Sequence, residues 1–346
     1  MIHGGDIYRN EVRMDFSVNG NPIGMPVRVE RALKKAVGNC GTYPDLRSEK
    51  LKEKLEKLTG VCREQILCGN GASELLLAAL HGIKPKRTAI LVPSFYGYEY
   101  AATASGSPVL PVLLRAEDGF CLPDDIPQRL DDDVDLLLLA NPNNPTGAMI
   151  KADLLEKLLG ECLQRNITVV LDECFLEFTG KEETHSMKKK LSAYPNLIIL
   201  RAFTKIFAIP GVRLGYLLCK NEELLQKMEV QLPEWNLSVF AQAAGAAACR
   251  ETAYIERTVR LIKKERAYLE EQLKRLGITV FLSETNFLLL HTKLPLYEEL
   301  LKKKILIRDC GNFRGLTNGY YRIAVKGRGE NARLIRAIRE IARRFV

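Results

Sequence analysis

The sequence lacks the features that mark several classes of protein. It has nine cysteines, but no two form a C-x-x-C pair and none has metal-ligand spacing, so no structural metal site is expected. An odd number of scattered cysteines in a chain of 346 residues argues for reduced thiols rather than a disulfide framework, and hence for a cytoplasmic protein. No apolar run approaches the ~20 residues that a membrane span needs. The opening stretch MIHGGDIYRNEVR has no apolar core of the signal-peptide kind. Internal repeats and low-complexity tracts are missing as well, which sets aside solenoids and disordered arrays.

What remains is ordinary for a globular chain, with 47% hydrophobic and 27% charged residues. One core rarely grows beyond ~250–300 residues, so the length predicts two domains. The net charge of +9 raises the question of nucleic acid. The basic residues are spread thinly, however, and the runs Lys188-Lys189-Lys190 and Lys302-Lys303-Lys304 carry no interleaved aromatics. Solvated helix faces explain them better than a nucleic-acid surface. A basic surface also helps to collect a small anionic substrate.

Periodicity divides the chain into alternating strands and helices. Helices are predicted over 26–37, 48–59, 75–80, 152–164, 222–231, 241–250, 254–276 and 297–303, with a basic terminal helix from Glu330. Strands are predicted over 66–68, 89–93, 109–114, 134–140, 167–171, 197–200 and 214–219. VDLLLLA at 134–140 is a continuous apolar run, as a central parallel strand requires. A ββαβ-like tail follows, with strands at 280–282, 287–291, 305–308 and 320–325. The long charged helix 254–276 reads as the connector into a second domain. Residues 1–25 read as an extended arm that could offer His3, Asn19 or Asn21 to a ligand.

Chemistry collects at the strand ends. Gly69-Asn70-Gly71-Ala72-Ser73-Glu74 lies between a strand and a helix, where backbone N–H groups and a helix N-terminus face an anion. Phe95, Tyr96, Tyr98 and Tyr100 follow the next strand, and an aromatic there can stack on a planar ring. The strand 134–140 ends in Asn141-Pro-Asn-Asn-Pro-Thr-Gly147, and 167–171 ends in Asp172-Glu173. Open α/β sheets bind ligands at such carboxyl ends. LIILRAFTKIFAIPGVRLGY, residues 197–216, sets a single lysine among apolar residues. That setting disfavours the ammonium form and makes Lys205 a better nucleophile, suited to a Schiff base with an aldehyde. Thr204 and Arg213 can hold a phosphate nearby. An aldehyde that carries a phosphate describes pyridoxal 5'-phosphate (PLP). Asp172 would then pair with the pyridinium N–H. Arg308 and Arg322, each among β-type residues, are natural clamps for a carboxylate or a phosphate.

The succession GNGASE, PSFYGY, NPNNPTG, VLDE, TK-x₇-R and GVRLGY resembles the fold-type I PLP enzymes of the aminotransferase class I/II superfamily, over nearly the whole chain. The resemblance implies an α/β fold: a large PLP-binding domain with a mostly parallel seven-stranded sheet between helices, and a smaller α+β domain. The boundaries expected are 1–40 for an arm and part of the small domain, 41–235 for the large domain and 236–346 for the small one. It implies Lys205 as the cofactor lysine and Asp172 at the pyridine nitrogen. Asn144 would meet the ring 3-hydroxyl oxygen, and Phe95 the ring face. Gly71, Ala72, Thr204 and Arg213 would hold the cofactor phosphate. Tyr43 would reach the neighbouring subunit's cofactor phosphate, which implies a homodimer. His3, Asn19, Arg308 and Arg322 would bind substrate. Within the superfamily the chain is similar to the branch of histidinol-phosphate aminotransferases and threonine-phosphate decarboxylases. HGG, FSVNGNPIGMP and ILIRDCGNFRGLTNGYYRIAV favour the decarboxylases, which implies a small phosphorylated amino-acid substrate. Two positions depart from the wider pattern. Phe175 stands where many aminotransferases carry Tyr, and Ala202 where a hydroxyl is common.

Overall fold

The computed structural model describes residues 4–345. A short strand β1 (Met14–Asp15) precedes helices α1 (Val27–Ala36) and α2 (Glu49–Thr59). Then come β2 (Ile66–Gly69), α3 (Ala72–Ile83), β3 (Thr88–Val92), α4 (Gly97–Ala104), β4 (Val109–Leu113) and β5 (Leu136–Ala140). Next are α5 (Ala152–Gln164), β6 (Thr168–Asp172), a single turn α6 (Glu182–His185), β7 (Leu197–Ala202), a single turn α7 (Phe203–Ile206) and β8 (Gly215–Cys219). Helices α8 (Glu222–Glu229), α9 (Val239–Ala248) and α10 (Thr252–Arg275) lead to β9 (Thr279–Val280) and β10 (Phe287–His291). The chain ends with α11 (Leu296–Lys302), β11 (Ile305–Leu306), β12 (Arg308–Asp309), β13 (Tyr320–Ala324) and α12 (Arg328–Phe345).

The large sheet has seven strands in the order β2-β8-β7-β6-β5-β3-β4. All its ladders are parallel except the two that β8 makes with β2 and β7. Strands β3, β5 and β7 are buried along their whole length, so each reads as an unbroken apolar run. From β3 the chain first steps to one side, to β4, and then to the other, through β5, β6 and β7. That reversal opens a crevice at the carboxyl ends of these strands. Helix α2 turns Leu51, Leu55 and Thr59 inward, and ends at Gly60 in the left-handed region with φ 74°. Helix α10 buries Tyr254, Thr258, Ile262, Glu265, Leu269 and Leu273, one side chain per turn.

The smaller sheet is antiparallel, in the order β12-β13-β10-β9. Two expectations need correction here. The predicted strand 305–308 is split at Ile307, because β11 pairs with β1 while β12 pairs with β13. The N-terminal segment thus competes for a strand that the sequence presents as continuous. The predicted strand 280–282 shrinks to β9, and Leu282 is exposed. Between β3 and β4 the aromatic stretch contains α4, which buries Tyr98, Ala101 and Ala102 at helical spacing. Among the described residues no helix is long and apolar enough to cross a membrane, and all nine cysteines are free thiols.

Candidate active site

A cavity of about 330 Å³ opens where the carboxyl ends of the large sheet meet the small sheet. Lys205 points into it from α7, the single turn that follows β7 directly. Burial pushes the Lys205 amine down to about 8, helped by the charges of Arg322 and Arg213 and opposed by the Cys174 thiol. The expected apolar setting is there, and two cations add to its effect.

Asp172 ends β6 on the adjacent wall. Its Oδ2 accepts from the Tyr98 hydroxyl at 2.6 Å, and its Oδ1 from the Cys174 amide at 2.8 Å. Burial and the Asp172 charge together raise the Tyr98 hydroxyl well above its ordinary range, so it stays a donor. The carboxylate is therefore held in one orientation by two N–H or O–H groups.

A second corner is shaped for an anion. Gly71 caps α3 with φ 78° and ψ 170°, a region that only glycine enters readily. A Cβ on Gly71 would lie 2.8 Å from Arg213 Nη2, so the guanidinium rests against bare backbone. The first turn of α3, with Ala72 and Ser73, and Thr204 of α7 line the same cavity. The helix N-terminus adds a partial positive charge there. Ala202 also lines the cavity and brings no hydroxyl, whereas Ser73 does.

The arginines come from the small sheet. Arg308 and Arg322 are direct cross-strand partners on β12 and β13, and both are buried. Arg308 donates to the Asp309 carbonyl at 2.6 Å and to Asn312 Oδ1 at 2.8 Å, with the Phe313 ring centroid 4.9 Å from its guanidinium carbon. Arg322 donates to Asn144 Oδ1 and, at 2.7 Å, to the Ser17 carbonyl. Its Nε is buried without a partner. Burial lowers Arg322 to about 10, with Arg308 adding to the effect and Cys310 opposing it.

Of the residues singled out in the sequence, Asn19, Gly71, Ala72, Phe95, Asn144, Asp172, Thr204, Lys205, Arg213, Arg308 and Arg322 all line this one cavity. Asn19 is buried there and its Oδ1 has no partner. Asn21 is engaged elsewhere, donating to the Ile206 carbonyl and to Thr258 Oγ1. Tyr43 is exposed and packs on Trp235 with ring centroids 4.8 Å apart; it does not line the cavity of its own chain. His3 lies outside the described residues. Ser17 and Phe313 line the cavity and were not singled out, while Tyr98 and Ser73 were named only within longer stretches and given no role of their own. Tyr98 was one of four aromatics between residues 95 and 100, and helical spacing from Ala101 and Ala102 is the signal that would have separated it.

Residues 11–341 match the Aminotransferase class I and II family. The chain belongs to that family. Among its relatives, threonine-phosphate decarboxylase of Salmonella typhimurium is 36% identical over 95% of this chain and 91% of its own length. The crystal structure of histidinol-phosphate aminotransferase from Clostridium acetobutylicum superposes with a TM-score of 0.90 at 33% identity, covering 96% of this chain and 99% of that one. L-threonine-O-3-phosphate decarboxylase from Porphyromonas gingivalis superposes with a TM-score of 0.83 at 26% identity, over 95% and 99% of the two chains. The class I and II aminotransferase relatives thus span both the amino-acid decarboxylase and the aminotransferase names, and both kinds share this fold.

Proposed function

We propose that the protein is a PLP-dependent decarboxylase that converts L-threonine O-3-phosphate to (R)-1-amino-2-propanol O-2-phosphate and CO₂, as a step of cobalamin biosynthesis. The observation that carries this reading is the pair Arg308 and Arg322, cross-strand partners that are both buried and line the same cavity as Lys205. A substrate with both a carboxylate and a phosphate needs two cationic clamps. The 36% identity to a threonine-phosphate decarboxylase supports the same reading.

The residues present fit PLP. The bare Gly71 backbone under Arg213, the α3 N-terminus and Thr204 make a cradle for the cofactor phosphate. Asp172, held by Tyr98 and Cys174, has the charge to keep a pyridinium protonated. Asn144 would meet the ring 3-hydroxyl oxygen, and Phe95 the ring face. Phe175 lines the cavity without a hydroxyl, so that position would offer no donor to the 3-hydroxyl oxygen. Lys205 offers its amine unprotonated above about pH 8. When bound, PLP supplies an electron sink for the charge left at the substrate Cα. Arg308 would take the substrate phosphate and Arg322 the carboxylate region, and so turn one bond at Cα out of the ring plane. We further propose a homodimer, in which the exposed Tyr43 reaches the neighbour's cofactor phosphate.

Transamination of histidinol phosphate is the second reading, favoured by the 0.90 TM-score of the Clostridium acetobutylicum structure. One experiment separates the two. The enzyme is loaded with PLP and given threonine phosphate without any keto acid, and CO₂ is measured. CO₂ release is expected. No CO₂, with glutamate formed from histidinol phosphate and 2-oxoglutarate, establishes the aminotransferase instead. Phosphoserine belongs in the same assay, because one methyl group discriminates by only ~1–3 kcal/mol.

A further inference from the structure

The N-terminal arm and Arg322 meet at one residue. Ser17 is fully buried, at 0% exposure, and every polar atom it has is used. Its amide and its hydroxyl both donate to Asp15 Oδ1, at 2.8 and 2.6 Å. The Gly5 amide donates to Ser17 Oγ at 2.7 Å. The Ser17 carbonyl accepts from Arg322 Nη2 at 2.7 Å. A hydroxyl has one proton and two lone pairs. Asp15 accepts the proton, which leaves a lone pair for Gly5. The carboxylate thereby fixes which way the hydroxyl faces the arm.

The backbone on either side is equally committed. Asp15 lies opposite Leu306 in the β1–β11 ladder, and the Phe16 amide donates to the Leu306 carbonyl at 2.7 Å. The Ala324 amide donates to the Phe16 carbonyl at 2.8 Å. So this short segment is bonded next to Arg308 on one side and beside Arg322 on the other. Gly4 completes the contact. A Cβ there would lie 2.5 Å from the Ser17 carbonyl oxygen, the atom that Arg322 uses. Only a residue without a side chain can rest on that oxygen. Gly4 and Ser17 both line the cavity.

We propose that Ser17 is a positioning residue that latches the N-terminal arm to the guanidinium of Arg322, so that arm and arginine are set as one unit at the substrate end of the cavity. The latch is a property of the folded chain alone; its effect on substrate rests on the reading of Arg322 given above. The coupling is reciprocal: loosening either end loosens the other.

The test is hydrogen–deuterium exchange of the full-length protein, followed on a peptide covering residues 4–13. Wild type is compared with Ser17→Ala, Gly4→Ala and Arg322→Lys. Ser17→Ala removes the arm's acceptor, Gly4→Ala lifts the arm off the carbonyl, and Arg322→Lys frees that carbonyl from the other side. All three are expected to speed exchange in this peptide about tenfold or more, with peptides of the large sheet unchanged. Gly4→Ala lies outside the core, so it keeps the test valid if Ser17→Ala folds poorly. Unchanged exchange in Gly4→Ala, or in Arg322→Lys, overturns the latch. With threonine phosphate as substrate, Gly4→Ala should raise KM about tenfold or more and change kcat less than twofold. Freed exchange with an unchanged KM overturns the positioning role. The exchange measurement needs no substrate, so failure of the decarboxylase reading shows only in the CO₂ assay and leaves the latch result standing.

Discussion

The Tyr98 hydroxyl donates to Asp172 Oδ2 at 2.6 Å from 74 residues away, out of a helix on the far side of β5. Replacing it with Phe leaves the ring packed and removes one donor to a half-buried carboxylate. A hydrogen bond to a charged group contributes about 1.5–3 kcal/mol. Tyr98→Phe is therefore expected to lower kcat/KM roughly tenfold to a hundredfold, while Tm moves little. Equal activity of the variant and wild type in a steady-state assay refutes the role.

Lys205 gives a pH dependence with a definite sign. Its amine is held at about 8 in the folded chain, below the ~10.4 of an unfolded lysine. Between those values the unfolded chain binds more protons, so the penalty this group places on folding is fully present below about pH 8 and is relieved as pH rises through the window. The rate of PLP uptake by the cofactor-free protein should rise with pH along a curve centred about pH 8. Arg322→Gln should shift that curve upward only in part, since burial is the larger cause.

Gly71→Ala places a Cβ 2.8 Å from Arg213 Nη2 and forces a side chain into backbone space reserved for glycine. Strain of this kind costs about 1–3 kcal/mol. PLP affinity, read by fluorescence titration, should fall at least tenfold. An unchanged affinity means the cradle is not the cofactor phosphate site.

Arg308→Ala tests the division of labour between the two arginines. Losing charge-assisted bonds to a phosphate costs about 1.5–3 kcal/mol, so KM for threonine phosphate should rise about tenfold or more, with little change for plain threonine. An equal effect on both substrates moves the phosphate to Arg322.

Beneath the site, Arg201 is fully buried and pairs with Glu173 at 3.0 Å, Glu177 at 3.1 Å and Glu182 at 3.1 Å. Burial raises Glu173, and the Arg201 charge opposes the shift. Removing one partner of a buried ion pair costs about 3–5 kcal/mol. Arg201→Met should lose that much in urea unfolding, because three acids would be left beside an apolar side chain. A loss below about 1 kcal/mol would mean that the cluster is solvated.

Short-range signals in the sequence determined most of the fold. LLLLA of β5 and LIILRA of β7 are buried on both faces, so an unbroken apolar run was enough to identify them. The helix predicted over 152–164 coincides with α5, because its apolar period is clean and a proline-rich turn precedes it. The turns at strand ends were legible too, and they carry most of the residues that line the cavity. Tertiary structure alone decided which of these residues touch. Ser17 and Arg322 are 305 residues apart, and their bond depends on β1 taking β11 as its partner. Nothing in the run from Ile305 to Arg308 shows that its first half belongs to one sheet and its second half to another. A strand's apolar pattern tells which face is buried. It does not tell which neighbour the backbone will choose, since every strand offers the same N–H and C=O groups. That choice is made by the whole chain at once, and it puts Arg308 opposite Arg322 and the arm upon Ser17.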